Sequence, residues 1–204
     1  EEEIKTLVDA GEERGVIEEE EKRMIYSIFE FGDTLAREVM VPRIDVVAIE
    51  VNTGIRDALD VIIQAGHSRI PVYEETIDNI VGMLYAKDLL RYWRNVIPGK
   101  NNLGDLKLRD ILRDVYYTPE TKQVDELLQE LQQRKVHIAV VVDEYGGTAG
   151  LVTIEDILEE IVGEIQDEYD TEETLVEAIN QDEIIFNGRI NLDDVKHMMN
   201  IELP

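Results

Sequence analysis

The sequence contains no cysteine, and only 20 of its 204 residues are basic, against 46 acidic ones. Without cysteine there is no disulfide framework, no thiolate zinc site and no cysteine nucleophile, and the absence is consistent with a reducing compartment. The formal net charge of -26 disfavours broad contact with nucleic acid or anionic lipid, because both need clustered lysine and arginine. Nucleic acid is therefore not an expected partner.

The sequence also lacks a long hydrophobic run. Its longest β-type apolar run, Ile138–Val142, is far shorter than the ~18 residues of a membrane-spanning helix, so a soluble polypeptide is expected. The chain starts with EEEIK and stops at NIELP, without an initiating methionine or an apolar targeting segment. We expect both ends to lie inside a longer protein.

Motifs of catalysis and metal binding are missing as well. There is no Gly-x-x-x-x-Gly-Lys-Ser/Thr phosphate loop and no clear pair of base and nucleophile, so an enzyme is not expected. His67, His137 and His197 lack the spacing of metal ligands, and no metal site is assigned to them. The acidic residues at 155, 159, 160 and 164 have the spacing of a helix face; they also suit Mg2+ bridged to phosphates.

The N-terminal region, 1–33, predicts two amphipathic helices, because apolar residues recur at helical spacing before Gly11 and after Gly15. Two alternatives are open for this region. It either binds a partner or a second copy, or it packs on its own domain.

From residue 34 the chain repeats itself. Segment 53–90 lies over segment 121–158 without a gap, at a constant offset in numbering (121 − 53 = 68). Upstream, the segment from Arg37 parallels the segment from Arg109 at a larger offset (109 − 37 = 72). Such a duplication predicts two similar structural units.

Each repeat predicts a short helix, an extended piece, a helix from Ile55 or Val124, a strand, a turn, a second strand and a closing helix. The predicted turns are EETIDN and DEYGGT. A unit this small leaves an apolar face exposed, so the two repeats should pack together with approximate twofold symmetry. The stretch NVIPGKNNLGD is expected to link them.

The segment after Gly163 begins with EIQDEYDTEET, which is typical of an acidic hinge or an exposed helix end. A strand is expected at 184–186, a turn at Asn187 and Gly188, and a helix from about Asn191. This is the opening of another α/β unit. It ends too soon to close a core, so we expect it to be partly disordered or to borrow contacts.

Four motifs occur in order: REVMVPRIDV, AGHSRIPVYE, NIVGMLYAKDLL and GGTAGLVTIEDILEEIVGEIQDEYD. With the duplicated unit and the strand-to-helix turn Gly-x-x-Thr-x-x-Asp of its second copy, the sequence resembles a tandem CBS-domain pair (Bateman module) of the CorC, hemolysin C and CNNM family. The resemblance implies an α+β fold with pseudo-twofold symmetry, N-terminal helices and a truncated C-terminal α/β unit. The implied domains are a helical linker (1–33), CBS domain 1 (34–97), CBS domain 2 (98–166) and a partial CorC/HlyC transporter-associated domain (167–204).

The resemblance further implies that an adenine nucleotide, ATP or AMP, binds between the repeats, with Mg2+ as a possible companion. The Asp156 carboxylate suits ribose hydroxyls, and the Thr153 hydroxyl lies at a helix N-terminus, which favours phosphate. A simple capping role for Thr153 is the alternative. The implied site comprises Val41, Ser68, Arg69, Ile70, Pro71, Thr153 and Asp156.

A second, mirror-related site is expected to bind nucleotide weakly or not at all. Tyr85 replaces threonine there, and the residues aligned with Ser68 and Arg69 are Val136 and His137, which supply no strong phosphate cation. An ion pair of Arg69 with Glu74 or Glu75 is the alternative role of that arginine, and Arg43 is a further phosphate candidate. The implied mirror site comprises Asp88, Tyr116, Thr118, His137 and Ile138.

The function implied by the resemblance is nucleotide sensing by a regulatory module of a magnesium or cobalt transport or efflux protein. The module is expected to be homodimeric, at the cytoplasmic face of the cell membrane, and to act on an upstream membrane transport domain or a partner transporter. The alternatives are a protein-interaction scaffold with a vestigial nucleotide crevice and, with less support, a nucleotide hydrolase.

Overall fold

The computed structural model describes residues 2–95, 107–163, 176–180 and 183–186. The chain divides into two compact units, residues 1–164 and 165–204. Within the described ranges, no helix combines the length and the apolar composition needed to cross a bilayer.

Helices and strands alternate in the order that the repeat predicts. The helices are α1 (Glu2–Glu13), α2 (Glu19–Phe31), α3 (Ala36–Val39), α4 (Ile55–Ala65), α5 (Ala86–Asn95), α6 (Val124–Arg134) and α7 (Ile154–Val162). The strands are β1 (Val41–Pro42), β2 (Ile49–Glu50), β3 (Arg69–Glu74), β4 (Thr76–Tyr85), β5 (Tyr117–Pro119), β6 (Ile138–Val142), β7 (Thr148–Thr153), β8 (Val176–Asn180) and β9 (Glu183–Phe186). The predicted starts of α4 and α6 at Ile55 and Val124 are confirmed.

The two predicted N-terminal helices form a hairpin. Gly15 provides the left-handed residue of the turn, with φ of 68°, and Lys22 ties the helices by ion pairs to Asp9 and Glu12, at 2.7 and 3.1 Å. Helix α2 packs against α7. The hairpin therefore rests on the second repeat of its own chain, which is one of the two alternatives left open by the sequence.

The two repeats exchange their first strands. The four-stranded sheet has the order β1-β7-β6-β5, so β1 of the first repeat pairs antiparallel with β7 of the second, Val41 opposite Leu151. Strands β2, β3 and β4 form a second sheet in the order β2-β3-β4. There Met83 and Arg113 exchange backbone hydrogen bonds of 2.9 and 3.0 Å. Because 151 − 83 = 68, the two exchanges are equivalent, and the expected pseudo-twofold arrangement is confirmed.

Side chains are exchanged in the same way. Ala36, on the leading helix of the first repeat, is fully buried in the core of the second repeat against α6 and α7. Leu108 and Ile111, at the start of the second repeat, complete the core of the first. A third cluster, which we call the interface cluster, joins the two sheets and contains Ile80, Met83, Ile138, Val140 and Leu151.

The gap-free alignment of the repeats is wrong by one residue in its first half. Gly82 and Gly150 are 150 − 82 = 68 apart, but their strand partners Val72 and Val141 are 141 − 72 = 69 apart. The first repeat therefore has one more residue between its paired strand positions than the second repeat. This residue is accommodated by an additional register shift beside Tyr73.

This correction changes which residues correspond. From α4 to the middle of β3 the structural offset is 69, so Ser68 and Arg69 match His137 and Ile138. The backbone confirms it, since the carbonyl oxygens of Ser68 and His137 accept equivalent hydrogen bonds from the first residues of α5 and α7, both at 3.0 Å.

The two predicted turns differ in length. In EETIDN only Glu75, with φ of 67°, lies between the strands, because β4 already begins at Thr76. The DEYGGT turn is longer, and the carboxylate of Asp143 holds it by accepting hydrogen bonds from the backbone of Tyr145 and Gly147, at 2.9 and 2.8 Å.

The second unit contains a described antiparallel pair, β8 with β9. The strand predicted at 184–186 is confirmed as β9, whereas β8 has no counterpart among the sequence-based predictions. The expected hinge at 164–174, the turn at 187–188, the helix from about 191 and nearly all of the expected linker lie outside the described residues. The four domain boundaries stay predictions.

Candidate functional site

The turn from β7 into α7 is a capping box formed by Thr153 and Asp156. The Thr153 hydroxyl oxygen accepts from the Asp156 N–H at 3.1 Å, and the Asp156 carboxylate accepts from the Thr153 N–H at 2.7 Å. The capping role considered for Thr153 is thus observed. The capping box uses only one carboxylate oxygen of Asp156, Oδ2. In the described contacts, Oδ1 of Asp156 accepts no hydrogen bond and the Thr153 hydroxyl donates none, so both are available to a ligand.

Three residues border this turn. Val41 lies opposite Leu151, two residues before Thr153, and is 37% exposed. Ile138 lies directly opposite Thr153, and the carbonyl of the preceding His137 accepts the first helical N–H of α7. The sequence predicts Val41 at this turn but His137 and Ile138 at the mirror site, and the strand pairing instead puts both of them beside Thr153.

The close approach of β1 depends on a glycine. A side chain at Gly150 would overlap the carbonyl oxygen of Val41 and lie 2.8 Å from the sulfur of Met40. Gly82 is its equivalent in the first repeat, where a side chain would lie 2.6 Å from Leu112. The glycine therefore brings Val41 to the edge of the Thr153 turn.

The segment Ser68–Pro71 begins the equivalent strand of the first repeat. Arg69 lies opposite Tyr85, with its guanidinium 5.5 Å from the ring centroid, and its Nε is buried without a hydrogen-bond partner in the described structure. Ser68 is exposed, whereas Ile70 and Pro71 are buried.

No hydrogen bond or ion pair between described residues joins Arg69 to Thr153 or Asp156. The two segments meet instead through the interface cluster, since Tyr85 packs against it and Ile138 belongs to it. The alternative pairing of Arg69 with Glu74 is not found in the described contacts, where Glu74 binds Arg109.

Asp88, the counterpart of Asp156, is already paired. It accepts a 2.6 Å hydrogen bond from Nε of Arg113 and lies 3.5 Å from Arg91. The bond from Arg113 holds the pKa of Asp88 below its usual value. A cavity of about 440 Å3 adjoins this pair and is lined by Asp88, Arg91, Tyr92, Asp110, Ile111, Leu112 and Arg113.

Arg113 is a site residue that sequence reasoning missed. Its guanidinium lies 4.4 Å from the centroid of the Tyr85 ring. The larger offset found upstream maps Val41 onto Arg113, because 41 + 72 = 113. This larger offset is the feature of the sequence from which Arg113 could have been identified as a site residue.

The other two mirror-site residues belong to the second repeat's core. Tyr116 donates its hydroxyl to Glu130 on α6, and burial raises its pKa. Thr118 is 1% exposed, and its hydroxyl has no partner among the described residues. Neither residue makes a described hydrogen bond to Asp88.

Arg43 is committed elsewhere. Its guanidinium donates to both carboxylate oxygens of Asp78, and it also contacts the carbonyl oxygen of Thr148 at 3.3 Å. The further phosphate role considered for Arg43 would require it to leave this carboxylate.

Further carboxylates lie along α7, the helix that begins at this turn. Partial burial, together with the neighbouring charges of Glu159 and Glu38, raises the pKa of Glu160. Glu164 lies outside the described residues. Within the described part of the chain, no three histidine or acidic side chains converge into a metal site of their own, so a cation here would need additional ligands.

Comparisons with known proteins identify the family of the two repeats. The CBS domain family matches twice, at residues 36–95 and 107–163. The chain is 39% identical over 173 residues to the magnesium and cobalt efflux protein CorC of Escherichia coli, covering 85% of this chain and 57% of that protein. The chain spans about half the length of the curated relatives it matches.

Solved structures match the described fold. The CBS domain of the bacterial CNNM/CorC family Mg2+ transporter is 47% identical, with a TM-score of 0.74 over 82% of this chain and 98% of that one. The same domain in complex with ATP is 48% identical, with a TM-score of 0.65 over 71% and 99% of the two chains. The chain therefore belongs to the CBS-domain proteins of the CNNM/CorC family.

Proposed function

We propose that the chain is a regulatory module that binds one adenine nucleotide at the Thr153–Asp156 turn. The capping box is the observation that carries the proposal, because it fixes a carboxylate and a hydroxyl at a helix N-terminus while leaving Asp156 Oδ1 free to accept from ribose. The ATP complex of the similar CBS domain supports the choice of ligand.

The adenine is proposed to lie between the exchanged strands. Val41 and Ile138 border the turn with apolar side chains, and the close contact of β1 with Gly150 leaves backbone edges beside them. A purine needs such apolar walls with a few polar groups.

The phosphates are proposed to reach the first repeat. Ser68 and Arg69 lie there, on the other side of the interface cluster, and the buried Nε of Arg69 lacks an acceptor among the described residues. A phosphate oxygen would satisfy it with a charge-assisted hydrogen bond. Ile70 and Pro71 fix the position of this segment by their burial.

Mg2+ is proposed to accompany the nucleotide. Glu155 and Asp156 already place two carboxylates in the first turn of α7, and a polyphosphate would add further negative charge there. A divalent cation bound to the phosphates would offset that repulsion. We therefore expect ATP to bind more tightly with Mg2+ than without it.

Nucleotide binding is proposed to regulate ion transport by a membrane domain upstream or by a partner transporter, at the cytoplasmic face. CorC, one of the relatives, is described as a magnesium and cobalt efflux protein. A ligand that prefers one arrangement of the two repeats shifts the population toward that arrangement. No catalytic role is proposed, and the matched family is a CBS domain.

A homodimer is proposed through the outer helices. Leu90 and Leu158 occupy equivalent positions on α5 and α7 and are 60% and 40% exposed. Ile63, on α4 beside α5, and Val162, on α7, are exposed as well. Exposed apolar residues on both repeats suit a symmetric contact with a second copy.

Calorimetric titration with ATP, ADP and AMP, each with and without Mg2+, tests the nucleotide proposal. Saturable binding without product formation supports a sensor. Formation of a hydrolysis product would show a hydrolase instead. No heat of binding together with an unchanged melting temperature would favour the alternative of a protein-interaction scaffold.

A further inference from the structure

The mirror crevice of the first repeat contains a guanidinium group where its counterpart has the shorter side chain of Val41. Asp88 occupies the position of Asp156, Tyr85 that of Thr153 and Arg113 that of Val41. The last equivalence rests on backbone pairing, since Arg113 pairs with Met83 where Val41 pairs with Leu151, and 151 − 83 = 68.

We infer that Arg113 acts as an internal ligand of Asp88, competing with nucleotide for the mirror crevice and limiting the module to one nucleotide per chain. This inference rests on the proposed function. It assigns Arg113 a specificity role that neither its position in the repeat nor the family match supplies.

The contacts of Arg113 cover the groups that a ribose would need. Its Nε donates to Asp88 at 2.6 Å, and its guanidinium lies over the Tyr85 ring at 4.4 Å. A charge-assisted bond to a carboxylate is stronger than a bond from a neutral ribose hydroxyl, so ribose competes poorly for Asp88. The Asp88 side chain is only 13% exposed.

Arg113 is fixed through both its main chain and its side chain. Both backbone groups of Arg113 are hydrogen-bonded to Met83, which anchors its main chain beside the crevice. Tyr85 also receives Arg69 at 5.5 Å, so the ring lies near two guanidinium groups. At the Thr153 turn the matching residue is Val41, and no described cation pairs with Asp156.

Substitution of Arg113 by valine copies the residue of the open crevice. With ATP and Mg2+ as the probe, calorimetry should give one site per chain for the wild type. Arg113→Val should show a second site, weaker than the first because Tyr85 still replaces threonine there. Adding Thr153→Ile to that variant should return the count to one, whereas Thr153→Ile alone should give none. Arg113→Lys, which keeps a cation opposite Asp88, should stay at one.

Arg113→Gln guards against loss of folding, because it keeps most of the packing volume while removing the charge, and it should also give two sites. Thermal melting of each variant establishes that it is folded. A folded Arg113→Val or Arg113→Gln that still binds one nucleotide, or a wild type that binds two, would overturn the inference. A wild type that binds none would instead reject the proposed function itself.

Discussion

Arg43 donates hydrogen bonds to both carboxylate oxygens of Asp78, and the same carboxylate accepts the backbone N–H of Thr148 from the other repeat at 3.0 Å. Thr148 returns a hydrogen bond from its hydroxyl to the carbonyl oxygen of Ile77, at 2.9 Å. These hydrogen bonds of Arg43, Asp78 and Thr148, which we call the clasp, connect the β3–β4 hairpin to the β6–β7 hairpin beside strand β1.

The clasp predicts a dependence of stability on acid. The bond from Arg43 lowers the pKa of Asp78 from its usual 3.8, so folding favours the charged form. Its stabilisation is present above that unfolded value and is lost as the pH falls through the lower folded pKa. Arg43→Ala should reduce this loss in urea unfolding measured across acidic pH, while Arg56→Ala, at an exposed position, should match the wild type.

Glu160 predicts the opposite sign. Its folded pKa is raised above the usual 4.5, so the folded protein holds this proton more tightly and loses stability as the pH rises from below 4.5 through the folded pKa. Glu160→Gln should be more stable than the wild type at neutral pH. Glu38→Gln, which removes one neighbouring charge, should give a smaller gain in the same urea titration, and equal stability of all three proteins would contradict the assignment.

Thr153→Ile should abolish detectable ATP binding, because it removes the hydroxyl from the proposed site. The same change removes the cap of α7 and should lower the free energy of unfolding by about 1 kcal/mol. Thr153→Ser keeps both roles and serves as the matched control. Calorimetry together with thermal melting separates the two effects, and wild-type affinity in the isoleucine variant would reject the site.

Gly150→Ala should destabilise the fold, because the new methyl group would overlap the carbonyl oxygen of Val41. Overpacking of this kind costs about 1–3 kcal/mol, and backbone cannot move aside as easily as a side chain. Gly32→Ala is the control, since nothing lies within 4 Å of a side chain there. Its unfolding midpoint in urea should stay close to that of the wild type.

Leu158→Glu should abolish the proposed dimer, because a charge would replace an apolar side chain in the contact. Light scattering over a range of concentrations measures the molar mass. Ile44→Glu changes a residue that is 90% exposed and should leave the mass unchanged. A wild type that is monomeric at every concentration would rule the dimer out.

Local pattern was sufficient to predict the helices and most strands. Ile55, Ala58 and Ile62 recur at helical spacing and are buried in α4, as Val124, Leu127 and Leu131 are in α6. The four motifs in order were sufficient to predict the family, and the motif around Thr153 was sufficient to predict the strand-to-helix turn.

The pairing of segments between repeats was not predictable in the same way. A bulge beside Tyr73 shifts the repeat alignment by one residue without altering the apolar pattern on either side, so the sequence aligns Arg69 with His137 instead of Ile138. The pairing of Arg113 with Asp88 depends on the exchange of β1 and its counterpart, which is a contact between distant parts of the chain.

The burial of Ala36 in the other repeat's core has a consequence for a single repeat on its own. A polypeptide with a single repeat would lack the residues that complete its core, and the apolar side of its own leading helix would be exposed to solvent. Two such polypeptides would complete each other only by exchanging these segments, as the two repeats of this chain do.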